Sequence, residues 1–339
     1  SSSYDIKIKE YLSRINFLTL INFRNNRLRD FVIPKEIPSD DIEMDSMEDL
    51  FNSIAKENIH PFYETQSIAE LVRKFIFKLL KTESTNFLPV LKNIEKFLFL
   101  DSFIPDSNEL RYDELDSKKR LLQFNTFVWL CYLDRQHNIT EEILNKFNLG
   151  MTKIHKEYLK LLPKSYDILS NTQIYSDSPR LSYYILTQYN LELMTKSKES
   201  FNEMDRLCFY FNKGSYNIEH IYPRNHRFNY WNERFGSLNS KDREKYKNTL
   251  GNLIVISARK NDRLENKAYP DKCDFKATNN PTGYKYGTIA ERYLCETYSE
   301  WTKESIYKRG REILEFMYNE WGVKVLPKDA KKVLGLPEK

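Results

Sequence analysis

Ile218-Glu219-His220-Ile221-Tyr222-Pro223 and, further on, Gly251-Asn252-Leu253-Ile254-Val255-Ile256-Ser257 running directly into Ala258-Arg259-Lys260-Asn261 decide how the C-terminal part of this chain folds. Tyr216–Tyr222 and Asn252–Ser257 are short β-type runs, the second entered through a glycine turn and left through a helical start. The order is strand, long polar loop, strand, short helix. Side chains alternate along a strand, so Glu219 and His220 face opposite ways unless the backbone turns there. Pro223, which gives no amide to a continuing ladder, makes that turn reasonable. An acid beside a histidine where a strand runs out supplies a carboxylate for a metal and a base that titrates near neutral pH. Alone, such a pair reads more simply as a core histidine beside a surface acid. Asn261, nine residues after Asn252 on the following helix, turns the pair into a constellation.

Outward from this segment the pattern is helical. Ile68, Leu71, Val72, Phe75, Ile76, Leu79 and Leu80 recur at three- and four-residue steps and predict one buried helix face. Helices are also expected near Val90–Leu98, with Pro89 in its first turn, and over Leu121–Leu133, Glu141–Phe147, Ile154–Leu162 and Leu181–Met194. Ser46 and Asp49 suggest a further helix start, and the stretch of Pro34, Pro38, Asp40 and Asp41 an acidic connecting loop. Thr288–Trp301 and Lys303–Trp321 predict two closing helices. The fold class expected is therefore mainly α, with a helical region over 1–200 and an α+β domain over 201–339 whose ββα core spans about 216–268.

At 339 residues the chain has room for two domains, since one usually takes about 100–200. Hydrophobic residues at 40% and charged residues at 30% describe a globular protein rather than a disordered one. No run reaches the roughly 18 apolar residues of a membrane helix, and no basic start followed by an apolar stretch marks a signal peptide. The chain opens Ser1-Ser2-Ser3 without methionine, which suggests a cleaved tag or the back part of something longer. Cys131, Cys208, Cys273 and Cys295 are scattered and form no Cys-x-x-Cys pair, so neither a zinc site nor a disulfide framework is indicated and a cytoplasmic location is expected. Charge is uneven. Residues 213–339 carry 25 Lys or Arg against 17 Asp or Glu, whereas residues 1–212 carry 28 against 31. The C-terminal part thus suits a polyanionic partner, although a solvated lysine face is the commoner meaning of such an excess.

The Glu-His-Ile-x-Pro strand, the second strand and the Asn-bearing helix resemble the ββα-metal, or HNH, nuclease motif. More specifically, the segment resembles the C-terminal domain of GmrSD-type, modification-dependent restriction endonucleases. That resemblance covers roughly residues 175–322, taking in Arg180-Leu181-Ser182-Tyr183-Tyr184-Ile185-Leu186 upstream and Asn266-Lys267, Lys272, Trp301, Arg309, Leu314 and Trp321 downstream. It implies a metal-dependent endonuclease acting on DNA, modified phage DNA among the candidates, in restriction or antiviral defence. Such proteins pair the domain with a ParB-like nucleotide-binding half bearing an Asp-Gly-Gln-Arg type motif. No such string occurs here, so that half would belong to a partner domain or subunit outside this chain.

The resemblance and the chemistry assign the same roles. His220 is the expected general base, Glu219 and Asn261 the expected ligands of magnesium or manganese, and Asn252 a site residue that pins the loop between the strands. Arg259, Arg263, Lys267 and Lys272 are the expected nucleic-acid contacts, through phosphates rather than base edges. His226 reads as a surface histidine, and Phe228, Tyr230 and Trp231 as packing of the insertion before they read as base-stacking groups. Two other readings stay open: a nonenzymatic binding or scaffold subunit with an inactive HNH unit, and an RNase.

Overall fold

The structure, a computed structural model, describes residues 3–24, 30–33, 64–81, 86–107, 113–198, 215–277 and 280–338. The loop expected around Pro34–Asp41, the helix start expected at Ser46 and Asp49, and Cys208 lie outside them. Contacts divide the chain into two compact units, residues 1–165 and 166–339. The architecture is mainly α, with two-stranded sheets only among the described residues. No helix among them is long and apolar enough to cross a membrane.

In the first unit the described elements are α1 (Ser3–Arg24), β1 (Asp30–Ile33), β2 (Glu64–Ser67), α2 (Ile68–Leu80), α3 (Leu88–Phe103), α4 (Asp113–Arg135) and most of α5 (Glu141–Thr172). Helix α2 starts where Ser67 accepts the Glu70 amide at 3.1 Å, and it buries Ile68, Leu71, Val72, Phe75 and Leu79 of the predicted stripe. Leu80, the last of that stripe, is exposed. The two helices expected over Glu141–Phe147 and Ile154–Leu162 are one continuous helix, α5. Gly150 does not break it, because its role is close packing: a Cβ there would stand 2.2 Å from the Trp129 ring.

In the second unit α6 (Ile174–Asp177) and α7 (Pro179–Lys196) precede β3 (Tyr216–His220). The insertion expected as a long loop instead holds α8 (Asn229–Phe235) and α9 (Ser240–Asn248). Trp231 and Phe235 bury on α8, and Asn239 caps α9 by accepting the Asp242 amide at 2.9 Å. These helices are short and strongly polar, so they carry almost no apolar period to read. A 3-10 turn (Leu250–Asn252) leads into β4 (Leu253–Ser257), then α10 (Ala258–Leu264) and α11 (Tyr269–Cys273). A small hairpin follows, β5 (Lys276–Ala277) with β6 (Asn280–Pro281), before α12 (Ile289–Thr297) and α13 (Lys303–Trp321). Gly322, at φ 75, takes the left-handed conformation that ends α13, and the short α14 (Ala330–Val333) comes last. Trp231, Trp301 and Trp321 are all fully buried in this unit.

Candidate active site

Strands β3 and β4 pair antiparallel with Glu219 opposite Ile254 and His220 opposite Leu253, and α10 leaves β4 at once and packs on both. The two strands and the following helix read from the sequence therefore form a ββα unit, with α8 and α9 between the strands in place of a loop. A buried side chain holds the turn into β4. Asn252 Oδ1 accepts the Tyr222 amide at 2.8 Å and Trp301 Nε1–H at 2.9 Å, while Nδ2 donates to the carbonyls of Tyr222 and Lys247, each at 2.9 Å. All four polar positions of the carboxamide are thus used. The turn before it requires glycine, since a Cβ on Gly251 would lie 2.1 Å from the Ile306 carbonyl oxygen. Buried Arg309 completes the turn by donating Nη1 to the carbonyls of Leu250, Gly251 and Leu253 at 3.2, 3.0 and 2.6 Å. Tyr222, fixed by Asn252, stacks on Phe235 with ring centres 4.0 Å apart.

Glu219 and His220 sit side by side in the chain, yet their side chains have different neighbours, as strand alternation requires. The Glu219 carboxylate is 5% exposed, pairs with the Lys272 ammonium and accepts the Tyr284 hydroxyl at 3.3 Å. Lys272 also donates to the His220 carbonyl at 3.0 Å. Burial dominates both charges, pushing the Glu219 carboxyl up and the Lys272 ammonium down, and the contact between them opposes each displacement. Lys272 was expected at a backbone phosphate. It is fully buried instead, and its charge is turned inward to neutralise Glu219, which corrects that expectation.

The His220 ring lies 3.3 Å from Asn248 Oδ1 through Nε2, and the Tyr175 ring meets its edge at 5.2 Å. An amide oxygen only accepts, so this contact puts the proton on Nε2 and leaves the basic lone pair on Nδ1. Burial, then the nearby Arg224 charge, lowers the His220 pKa to about 4. The imidazole is accordingly neutral at pH 7. Arg224, exposed on the turn after Pro223, donates to the Tyr175 hydroxyl.

Asn261 stands on α10, half-buried, with no hydrogen bond to its carboxamide among the described residues. Arg259 is exposed on the same helix. Arg263 reaches Thr282 Oγ1 at 3.4 Å, and Lys267 donates to the Arg263 carbonyl at 2.7 Å while lying over the Phe275 ring. These three remain near the surface and Lys272 does not join them. Trp231 packs inside, its Nε1 placed 3.2 Å from the carbonyls of both Asn266 and Lys267.

No group of three or more His, Cys, Asp or Glu side chains among the described residues is placed to share a metal ion. The donors that the motif offers, a Glu219 carboxylate and an Asn261 carboxamide, are two hard oxygens. Hard oxygens of this kind would suit a cation that keeps most of its water, such as magnesium, rather than zinc.

Asn248, Tyr175, Arg224 and Tyr284 are the neighbours of the pair that sequence reasoning missed. Asn248 and Tyr175 approach only through folding, from α9 and α6, and nothing in their local pattern marks them. Arg224, directly after the Glu-His-Ile-x-Pro run, was open to notice as a cation beside the histidine.

Residues 164–316 match the family model of GmrSD restriction endonucleases, C-terminal domain, so the likeness of this region is to a nuclease of the restriction-endonuclease type. No curated protein and no solved structure matches the chain.

Proposed function

We propose that the second unit is a metal-dependent endonuclease of the HNH type that hydrolyses phosphodiester bonds of DNA, and that it acts as a cytoplasmic restriction or anti-phage effector. The observation that carries this reading is a neutral His220 at the end of β3, oriented by Asn248, beside an acid and before an asparagine-bearing helix. His220 Nδ1 takes the proton of the attacking water. Glu219, once released from Lys272, and Asn261 would hold one magnesium or manganese ion, which would supply charge stabilisation for phosphodiester hydrolysis. Asn252 keeps the loop in register so that His220 and Tyr222 stay where the strand puts them. Arg259, Arg263 and Lys267 bind backbone phosphates, which gives salt-dependent affinity without base reading. The helical region before this unit, or a ParB-like nucleotide-binding partner, supplies regulation and recognition of modified DNA.

One observation favours a second reading, a nonenzymatic nucleic-acid-binding or scaffold subunit. Lys272 already occupies the Glu219 carboxylate, as a structural ion pair would. Thermal unfolding in magnesium and in manganese separates the two. The nuclease reading expects either ion to raise the Tm of the wild type but not of Glu219→Ala, and equal curves for both proteins support the scaffold.

A further inference from the structure

Cys273 closes α11 and Cys295 lies in α12, and both are free thiols. Their sulfur atoms are 2.8 Å apart, with Cys295 donating to Cys273. A disulfide needs about 2.05 Å between sulfurs, so the two atoms have little distance left to close. Packing that does not depend on a bond brings them together. The Tyr269 hydroxyl, at the start of α11, shares its hydrogen between the Leu294 carbonyl at 3.1 Å and the Tyr298 carbonyl at 3.0 Å. Behind Cys273, Gly283 lets the chains touch: a Cβ on it would meet the Cys273 carbonyl oxygen at 2.3 Å. The amides of Thr282 and Gly283 then donate to the Phe275 carbonyl at 2.8 and 2.9 Å. Cys295 is half-buried and Cys273 is 6% exposed, so a small oxidant reaches the pair. By contrast Cys131 is buried in the other unit.

We propose that Cys273 and Cys295 are a reversible oxidation site, a thiol pair that closes to an internal disulfide when the protein meets a peroxide. The Cys273 sulfur, which accepts the Cys295 hydrogen bond, attacks a peroxide oxygen. The O–O bond breaks, Cys273 becomes a sulfenic acid and one water leaves. The Cys295 sulfur then attacks the Cys273 sulfur, its proton leaves with the displaced hydroxide as a second water, and the S–S bond forms. Two thiols and one hydrogen peroxide thus give one disulfide and two waters. The bond closes a ring over residues 273–295. Lys272 immediately precedes that ring and Tyr284 lies inside it, and these are the two side chains that hold Glu219. Oxidation therefore stiffens the frame around Glu219, whether or not the unit cleaves DNA.

The test treats the reduced full chain with stoichiometric hydrogen peroxide, alkylates the remaining thiols and maps the peptides by mass spectrometry. The expected product is lighter by two hydrogens and contains one cross-linked peptide joining Cys273 to Cys295. It is restored by dithiothreitol and absent in Cys295→Ser and in Cys273→Ser, while Cys131→Ser forms it normally. Its Tm stands roughly 5–10 °C above that of the reduced protein, as expected for a ring of this size. Full alkylation of both cysteines after peroxide, or cross-links that join other cysteines instead, overturns the proposal.

Discussion

Replacing Asn252 with alanine removes the one side chain that ties the β3 exit, the α9 end and Trp301 together. Four buried groups lose their partner at once: the Tyr222 amide, the carbonyls of Tyr222 and Lys247, and Trp301 Nε1–H. Leaving a buried polar group unsatisfied costs about 1–3 kcal/mol. Asn252 itself is 0% exposed, so water has no ready path to replace it. At the low end of that range the four losses come to about 4 kcal/mol, a large part of the roughly 5–15 kcal/mol that holds a typical domain. Trp301→Phe removes a single donor and leaves Oδ1 still bonded to Tyr222, so it serves as a graded control expected to cost less. Urea unfolding followed by tryptophan fluorescence in Asn252→Ala, which keeps every tryptophan, measures the change directly. A loss below about 1 kcal/mol with an unchanged m-value refutes the pinning role.

Three further outcomes rest on other buried contacts. Lys272→Met leaves the Glu219 carboxylate buried without its cation and should cost about 3–5 kcal/mol, whereas Lys272→Met combined with Glu219→Gln should recover much of it; denaturant melts of the four proteins close the cycle. Gly251→Ala drives a Cβ into the Ile306 carbonyl oxygen, which no rotamer relieves, and should appear as a lowered Tm with loss of soluble protein. His155 is buried with its pKa lowered to about 3 by desolvation, and its Nε2 is 3.0 Å from the Asn93 carbonyl. Because the unfolded chain takes up this proton near pH 6.5 and the folded one does not, stability is intact above pH 6.5 and falls by up to about 4 kcal/mol as pH drops toward 3. His155→Gln should flatten that part of the stability profile, and an unchanged slope contradicts the assignment.

What was legible in the sequence divides along physical lines. The ββα order could be read because β3 alternates before Pro223, β4 is a short apolar run after Gly251, and Asn261 follows on the next helix. The long amphipathic helices declared themselves by period. The insertion did not, since α8 and α9 bury only a few residues among many polar ones. The single helix over Glu141–Thr172 was read as two, and the contact of Gly150 with Trp129 shows why a glycine sits inside it. Lys272 illustrates the remaining limit. A lysine just past the short helix looks like a phosphate contact, and only the folded position of Glu219 turns it into a buried ion pair. The same holds for Asn248 beside His220, two residues joined by the hairpin rather than by any sequence pattern.

The most direct test of the central claim is cleavage in magnesium by the wild type and by His220→Ala, on plasmid, unmodified phage DNA and hypermodified phage DNA, with folding of the variant checked by circular dichroism. Nicking or cutting by the wild type alone is the expected result, with His220→Ala folded and inactive. Equal cleavage by both proteins, or none by the wild type on any of these DNAs in magnesium or manganese, contradicts the account.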